Sequence, residues 1–261
     1  MARLSAVPVS NQPRVLILGG TAEAAALARY LSDSCGDKVE VTTSLAGRTR
    51  TPDPLPGRVR SGGFGGAEAM ADYLKDRRFA AVIDATHPFA AQISVNAVTA
   101  CKIAGVPRLV MSRPCWSPLE GDNWVDFDSL AAAAAGLTEF GRRAFLTVGV
   151  QELSAFSTLM DTWFLVRLID TPADPLPLSD YQIITGRGPF SVAAELALME
   201  AHRIDVVVTK ASGGDATAAK LEASRFLGLP VLMVRRPPPP PGPSVEGVAA
   251  AIDWIRNRLG T

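Results

Sequence analysis

The stretch GVPRLVMSRP at residues 105–114 recurs without gaps as GLPVLMVRRP at residues 228–237. In both copies a helix-forming segment precedes a short apolar run, and the run ends in Arg-Pro. An apolar run bounded by glycine, proline and polar residues is typical of a buried parallel strand. Recurrence of such a unit 123 residues later predicts that the chain is built from two related halves.

Two further pairs of segments support this duplication. AVIDATHPFA at 81–90 corresponds to VVVTKASGGDA at 206–216, and RVLILGGT at 14–21 corresponds to AFLTVGV at 144–150. In each pair an apolar run leads into a polar or glycine-containing turn. Strands that alternate with helices in this way favour an α/β fold with parallel sheets. We therefore predict two Rossmann-like domains with mostly parallel sheets, related by internal duplication.

The apolar patterns also predict the individual elements. We predict strands at 14–18, 38–43, 80–85, 107–111, 144–148, 163–169, 181–185, 205–209 and 230–234, and helices at 21–33, 66–77, 90–104, 128–136, 190–202, 215–227 and 244–258.

The domain boundary is predicted in the proline- and glycine-rich segment around residue 112. This gives an N-terminal domain over 1–112 and a C-terminal domain over 113–261. We assign the last helix to the second domain, after the polyproline spacer RRPPPPPGP at 235–243. Exchange of a strand between the two halves is left open.

The composition restricts the class of protein. The formal net charge is zero and 48% of the residues are hydrophobic, so no overall field favours nucleic acid or an anionic membrane surface. No apolar run approaches the roughly 18 residues of a membrane-spanning helix. The three cysteines lack paired spacing, which favours free thiols in the cytoplasm.

Arginine predominates among the basic residues. Only five of the 26 are lysine. Two explanations of this excess stay open. One is codon bias, and the other is a ligand with many carboxylates or phosphates, which guanidinium groups bind through two parallel hydrogen bonds.

The first predicted strand leads into the turn Gly19–Gly20–Thr21. The two glycines allow close approach of a phosphate, and Thr21 can cap the following helix, although the third glycine of the dinucleotide fingerprint is missing. An ordinary glycine turn is the alternative. The second strand ends in TTSLAGRTR with no acid, which favours a 2′-phosphate bound by Ser44 and Arg48 over a ribose diol. A solvated basic loop is the alternative there.

Two further loops belong to the first half. RSGGFGG at 60–66 either lets the backbone approach a flat or anionic ligand or is a flexible connection. DATHPFA at 84–90 places His87 at a strand end, where it donates to a ligand oxygen, passes a proton or is held by Asp84 or backbone. A metal site is not expected, because His202 lies within a predicted helix and no cysteine or acid cluster joins His87.

In the second half, TVGVQ (147–151), TGRGPF (185–190) and TKASGGDA (209–216) follow strands. Arg187 and Lys210 are flanked by glycine turns. Together they resemble a pocket for an acidic substrate.

These motifs, in this order, resemble the precorrin-6A reductase family. The matching stretches are LILGGTAE (16–23), TTSLAGRT (42–49), GGFGG (62–66), DATHPFA (84–90), SRP (112–114), LTVG (146–149), GRGPF (186–190) and TKASGG (209–214). The resemblance implies two Rossmann-like domains whose loop-bearing edges face each other. It also implies that NADPH delivers a hydride to precorrin-6A, a tetrapyrrole rich in carboxylates, giving precorrin-6B in cobalamin biosynthesis.

On this resemblance we assign roles to residues of this chain. Cofactor binding is predicted for Gly19, Gly20, Thr21, Ser44, Gly47, Arg48, Gly65, Gly66, Thr86 and His87. Substrate binding is predicted for Arg113, Gly149, Arg187, Gly188, Lys210, Ser212, Gly213 and Gly214. His87, Lys210 and water are the candidate proton donors, and no metal is implied.

Three alternatives stay open. A non-catalytic nucleotide sensor would bind NADPH without consuming a tetrapyrrole, and the cobalt-precorrin-6A reductase of the anaerobic route would carry similar motifs. A two-domain glycosyl- or methyltransferase fits the loops no better. Transfer of the product to the next enzyme of the pathway is also left open.

Overall fold

The computed structural model describes residues 12–47 and 53–260, and these form two compact units. The first unit contains residues 12–47, 53–112 and 239–260, and the second contains 113–238.

The first unit begins as a regular alternation of strands and helices. Its elements in chain order are β1 (Arg14–Leu18), α1 (Ala22–Cys35), β2 (Glu40–Leu45), β3 (Arg58–Ser61), α2 (Ala67–Asp76), β4 (Phe79–Asp84), α3 (Ala91–Ala104) and β5 (Arg108–Ser112). β3 was not predicted from the sequence.

The second unit repeats this alternation with shorter helical segments. Its elements are β6 (Trp124–Phe127), α4 (Leu130–Gly136), β7 (Arg143–Leu146), β8 (Trp163–Leu168), β9 (Asp180–Thr185), α5 (Val192–Ala201), β10 (Val206–Lys210), α6 (Ala219–Phe226) and β11 (Val231–Val234). Short 3₁₀ helices cover Leu137–Glu139, Val150–Phe156 and Asp215–Thr217. β6 was also absent from the sequence prediction.

The C-terminal segment corrects the predicted domain division. Residues 244–246 form a strand, β12 (Ser244–Glu246), before helix α7 (Gly247–Leu259) begins. β12 pairs in parallel with β5 of the first unit. Helix α7 buries Ala251, Ile252 and Ile255 in the apolar core that also contains residues of α1. Burial of this stripe against the first unit explains why residues 239–260 do not belong with 113–238.

Both sheets have the same strand order. The first runs β3-β2-β1-β4-β5-β12 and the second runs β9-β8-β7-β10-β11-β6, with every recorded pair parallel. This is the doubly wound 3-2-1-4-5-6 order of dinucleotide-binding folds. The chain contains two repeats, β1 to β6 and β7 to β12, and they exchange their last strands: β6 follows β5 in the chain but lies beside β11, and β12 follows β11 but lies beside β5. The predicted pair of Rossmann-like parallel sheets is confirmed, and the strand exchange is a new finding.

Strand β1 shows why a continuous apolar run suits this fold. Val15 and Ile17 pack into one core with α1 and α7, whereas Leu16 and Leu18 pack into a second core on the opposite face of the sheet. Helices cover both faces of the sheet, so the side chains on both faces are buried and apolar. Truncating one of these leucines to alanine costs about 2–5 kcal/mol.

The strand order also fixes where a ligand would sit. The direction of winding reverses between β1 and β4, and again between β7 and β10. In open parallel sheets, ligands bind beyond the carboxyl ends of the strands at such a reversal. The candidate residues are therefore expected near these strand ends.

Candidate functional site

The turn after β1 is drawn tightly against its neighbours. The Gly19 N–H donates to the Ser44 carbonyl at 2.9 Å. A Cβ atom at Gly19 would lie 3.0 Å from Thr43 Cγ2, and Gly20 has φ +102°, so both positions favour glycine. The Thr21 hydroxyl accepts from Ala24 N at 3.1 Å and donates to the Ala85 carbonyl at 2.8 Å. Thr21 is therefore the helix cap that the sequence predicted, and it also ties α1 to the end of β4.

The ends of β2 and β3 form a polar, basic corner. Ser44 pairs with Arg60 in the strand register, and Arg60 Nη1 donates to Ser44 Oγ at 2.8 Å. Gly47 has φ +75°, and a Cβ atom there would lie 3.0 Å from Ser61 Oγ. Arg48, predicted to bind a phosphate, lies outside the described residues. The sequence analysis missed Arg60, although it directly precedes the glycine-rich loop.

That glycine-rich loop is organised around Arg60. The carbonyls of Gly62 and Gly63 accept from Arg60 Nη1 and Nη2 at 2.9 and 3.0 Å. The guanidinium carbon lies 3.8 Å from the centre of the Phe64 ring. Gly65 and Gly66 follow with φ +85° and +119° and lead into α2. These contacts hold the glycine-rich loop in one defined conformation.

Beyond β4, polar side chains are linked to one another. Asp84 is buried, and its Oδ1 accepts from the Thr86 hydroxyl at 2.8 Å. Thr86 Oγ1 lies 3.2 Å from the hydroxyl oxygen of Ser94. His87 is half-buried, and its Nδ1 accepts from the Phe89 N–H at 3.3 Å. Because Nδ1 accepts, the neutral ring carries its proton on Nε2.

A buried arginine, Arg108, lies beside Asp84 at the end of β4. Arg108 Nη1 lies 3.5 Å from Asp84 Oδ2, and Arg108 Nη2 donates to the Pro241 carbonyl at 2.7 Å. Burial raises the pKa of the nearby Cys101 thiol to about 11, with Arg108 opposing the rise and Asp84 adding to it. Cys101 is therefore a protonated, structural thiol at neutral pH.

At the reversal of the second sheet, Lys210 forms an ion pair. Its Nζ donates to both carboxylate oxygens of Glu152 at 2.8 and 2.7 Å. Glu152 Oε2 also accepts from the Gly149 N–H at 2.8 Å. Gly149 and Lys210, predicted separately from two strand ends, are thus joined through Glu152. Sequence reasoning missed Glu152 because it is 58 residues from Lys210.

The loop after Lys210 is held by its carbonyls. Arg236 donates to the carbonyls of Ala211 (Nε, 3.2 Å) and Ser212 (Nη2, 2.8 Å). Arg113 Nη1 donates to the Gly213 carbonyl at 3.4 Å, and the Trp116 indole N–H donates to the Gly214 carbonyl at 2.8 Å. We call residues 211–214 the clamped loop.

The clamped loop requires glycine at position 213. Gly213 has φ +70°, and a Cβ atom there would lie 2.0 Å from the Pro114 carbonyl oxygen. Arg236 Nη1 also donates to the Arg113 carbonyl at 3.1 Å, so the two Arg-Pro repeats meet at this loop. Arg113 was predicted as a substrate ligand, and the structure shows it bound to the loop backbone.

The turn after β9 holds the remaining predicted residues. Arg187 is exposed. A Cβ atom at Gly188 would lie 2.6 Å from the Ala216 carbonyl oxygen, so this glycine allows the turn to approach the segment after the clamped loop. Gly188 therefore lies against Ala216, two residues after the clamped loop.

A buried charged cluster lies beneath these loops. Arg167 Nη1 pairs with Glu195 Oε1 at 2.7 Å, and both side chains are mostly buried. Lys220 Nζ donates to the Thr217 carbonyl at 2.7 Å and lies 4.9 Å from the Trp116 ring centre. Burial lowers the pKa of Lys220 from 10.5 to about 7, Glu195 opposes this shift, and Arg167 adds to it.

The predicted residues fall into two sets. Ser44 lies within β2, one residue before its end, and Gly19 to Thr21, Gly47, Gly65, Gly66, Thr86 and His87 follow strands of the first sheet. Lys210 is the last residue of β10, and Gly149, Arg187, Gly188 and Ser212 to Gly214 follow strands of the second sheet. Arg113 directly follows β5 of the first sheet but belongs to the second unit. Over the ranges that the structure describes, no group of three His, Cys, Asp or Glu side chains is placed to hold a metal ion. In those same ranges no helix is both long and apolar enough to cross a membrane.

Comparison with known proteins connects this architecture to a family. The family model for precorrin-6x reductase CbiJ/CobK matches residues 14–256. The precorrin-6A reductase of Rhodococcus erythropolis is 52% identical over 243 residues, which cover 93% of this chain and 97% of that protein. The cobalt-precorrin-6A reductase of Salmonella typhimurium is 32% identical, covering 88% of this chain and 89% of that protein. A solved structure of CobK precorrin-6A reductase is 42% identical with a TM-score of 0.89, covering 95% of this chain and 97% of that one.

Proposed function

This chain belongs to the precorrin-6x reductase family, and from that premise we propose that it reduces precorrin-6A to precorrin-6B with NADPH in cobalamin biosynthesis. The observation that carries the proposal is the 52% identity to a precorrin-6A reductase over nearly the full length of both chains. Identity to a cobalt-precorrin-6A reductase is lower, at 32%. The metal-free substrate is therefore the better-supported one.

We assign the cofactor to the first unit. The turn Gly19–Gly20 brings backbone close to the α1 N-terminus at the β1/β4 reversal, which suits a pyrophosphate. The end of β2 carries the Ser44 hydroxyl and its Arg60 partner in place of an acid. A hydroxyl with a guanidinium suits a phosphate on the adenosine ribose, so NADPH fits this corner better than NADH. Gly47, Arg48, Gly65 and Gly66 complete the proposed cofactor set.

The nicotinamide end is assigned to Thr86 and His87. NADPH, when bound, supplies the hydride for one carbon of the reduced double bond, and the neighbouring carbon needs a proton. His87 presents its proton on Nε2 because Nδ1 is held by the Phe89 N–H. Lys210, the other candidate, already donates to both oxygens of Glu152. To act as the acid, His87 would need a second proton on Nδ1, which would displace the Phe89 N–H. We therefore favour His87 as the donor that orients a ligand oxygen through Nε2.

The tetrapyrrole is assigned to the second unit. Its carboxylates would be received by the exposed Arg187 and by the N–H groups of Gly213 and Gly214, since the N–H groups of Ala211 and Ser212 donate to backbone carbonyls. The loop carbonyls accept hydrogen bonds from Arg113, Trp116 and Arg236. Their partial negative charges therefore point away from an anion on the other side of the loop. Gly149, Gly188, Lys210, Ser212, Gly213 and Gly214 are the other proposed substrate residues.

The first experiment measures binding and turnover together. The protein is titrated with NADPH and NADH by fluorescence and then incubated without oxygen with precorrin-6A, while the visible spectrum and NADPH absorbance are followed. We expect tighter binding of NADPH and one NADPH consumed per tetrapyrrole. NADPH binding without consumption would favour a non-catalytic nucleotide sensor, and equal turnover of the cobalt form would remove the preference for the metal-free substrate.

A pair of variants tests His87. Asparagine can still accept from the Phe89 N–H but has no donor at the Nε2 position, whereas glutamine places an amide near that position. We expect His87→Asn to lower kcat by about 10²- to 10⁴-fold if His87 is the acid. Recovery by His87→Gln would indicate orientation by hydrogen bonding, and full turnover by His87→Asn would leave His87 a structural role.

A further inference from the structure

We infer that Arg60 binds the ribose 2′-phosphate of the dinucleotide and sets the preference for NADPH over NADH. The inference rests on the proposed cofactor and names the side chain that selects it. It differs from the sequence-based assignment of that phosphate to Arg48.

Position is the first step. In dinucleotide-binding sheets, the group that reads the ribose 2′ position lies at the end of the second strand. Here that strand is β2, and Ser44 near its end is the register partner of Arg60 on β3. Arg60 reaches back across this pair to bond the Ser44 hydroxyl at 2.8 Å. The guanidinium therefore stands where an NAD-selective protein carries its acid.

The hydrogen-bond count is the second step. A guanidinium has five N–H donors. The Ser44 hydroxyl and the Gly62 carbonyl take both Nη1 protons, and the Gly63 carbonyl takes one Nη2 proton. Within the described residues, no acceptor bonds the Nε proton, and Nη2 has one proton more than its single acceptor uses. Nε and Nη2 belong to the same edge of the group. Two parallel donors on one edge match two oxygens of a phosphate.

Charge and rigidity are the third step. The partners of Arg60 are a hydroxyl, two carbonyls and the faces of Phe64 and Tyr73, with ring centres 3.8 and 5.5 Å away. Over the described part of the chain, no carboxylate forms an ion pair with it. Its neighbour Arg58, two residues earlier on the same strand, is instead paired with Glu40 at 2.6 Å. Arg60 thus keeps its positive charge and is fixed in place before a ligand arrives.

The alternative is that Arg60 only fastens the glycine-rich loop to β2. The two roles differ in their effect on NADH, which lacks the 2′-phosphate. Loss of a fastener would weaken both dinucleotides, whereas loss of a phosphate ligand would weaken NADPH alone.

The test uses the full chain with Arg60→Ala, Arg60→Lys and the matched control Arg58→Ala. Dissociation constants for NADPH and NADH are measured by fluorescence, and 2′,5′-ADP and 5′-AMP are used as competitors that differ in the 2′-phosphate. We expect Arg60→Ala to weaken NADPH and 2′,5′-ADP by about 10- to 100-fold, the range for loss of a charge-assisted pair. NADH and 5′-AMP should change by less than about threefold. Arg60→Lys, which keeps the charge without the fork, should fall between, and Arg58→Ala should match the parent.

Each other outcome has a definite meaning. Equal weakening of NADPH and NADH by both Arg60 variants would make Arg60 a fastener and overturn the inference. An unchanged preference for NADPH in Arg60→Lys and Arg60→Ala would also overturn it, while leaving the proposed reductase intact. If the parent protein binds neither dinucleotide, the proposed function itself fails. Arg60→Lys keeps the test valid if Arg60→Ala does not fold.

Discussion

Replacing Arg236 with alanine should loosen the clamped loop and weaken substrate binding without weakening NADPH binding. Arg236 donates three hydrogen bonds, to the carbonyls of Ala211 at 3.2 Å, Ser212 at 2.8 Å and Arg113 at 3.1 Å. Each such bond contributes about 1 kcal/mol net, so the variant should lose about 3 kcal/mol of unfolding free energy. At roughly 2–4 °C per kcal/mol, this corresponds to a fall of about 6–12 °C in unfolding temperature.

The neighbouring residue supplies the control. Arg235 is exposed and pairs with the exposed Asp128 at 2.8 Å, so Arg235→Ala should change stability by less than about 1 kcal/mol. Thermal unfolding, KM for precorrin-6A and the dissociation constant for NADPH are measured for both variants. We expect only Arg236→Ala to unfold earlier and to raise KM for the tetrapyrrole, by about tenfold if 1.4 kcal/mol of the loss reaches binding. Equal unfolding temperatures for the two variants, or equal losses of NADPH and tetrapyrrole binding, would refute the positioning role.

Two more substitutions test the second unit. Gly213→Ala should lower the denaturation midpoint more than Gly228→Ala, because both have positive φ but only at Gly213 would Cβ meet a carbonyl oxygen, that of Pro114, at 2.0 Å; equal midpoints would contradict this close approach. Lys220→Met should remove a pH dependence of stability. The pKa of Lys220 is about 7 in the folded state and 10.5 ordinarily, so between these pH values the unfolded state binds more protons than the folded state. The unfolding free energy of the parent therefore rises with pH in this range, by up to about 1.4 kcal/mol per pH unit. Denaturant titrations at pH 7 and pH 9 check it, and an equal rise in the variant would show that Lys220 is not the group responsible.

The sequence predicts buried strands well and edge strands poorly. Central strands such as β1 and β4 are continuous apolar runs, because helices cover both faces of the sheet. The three strands missed were β3, β6 and β12, which have 4, 4 and 3 residues and lie at sheet edges. Their residues are half-buried or exposed. β3 (RVRS) and β12 (SVE) are mostly polar, and the apolar run of β6 (WVDF) is interrupted by an acid and is too short to stand out.

The strand exchange has a different reason for being unpredictable. β5 and β11 come from the two repeated segments and end in the same Arg-Pro pattern. Either strand therefore offers a similar edge to β6 or β12, and local sequence does not distinguish the partners. The path of the chain after each Arg-Pro decides the pairing, and that path is a property of the tertiary structure.

The site residues also differ in whether local sequence or a distant partner determines their role. Glycine turns and the Thr21 cap are local features, so they could be found from neighbouring residues alone. Arg60, Glu152 and Arg236 gain their roles from partners 16, 58 and 24 residues away. A charged residue without its partner resembles an ordinary surface charge, and only the fold supplies the partner.

The duplicated frame also explains why one unit and not the other is assigned to the dinucleotide. Gly149 follows β7 as Gly20 follows β1, at the same reversal of strand order. In the second unit, however, the Gly149 N–H is already held by the Glu152 carboxylate, which also binds Lys210. A built-in anion therefore occupies the amide that a phosphate would need, and a second anion would have to displace it against like charge. Glu152 thus favours the proposed assignment of the dinucleotide to the first unit. The proposed substrate carboxylates would then be received by Arg187 and the clamped loop, away from the Gly149 amide.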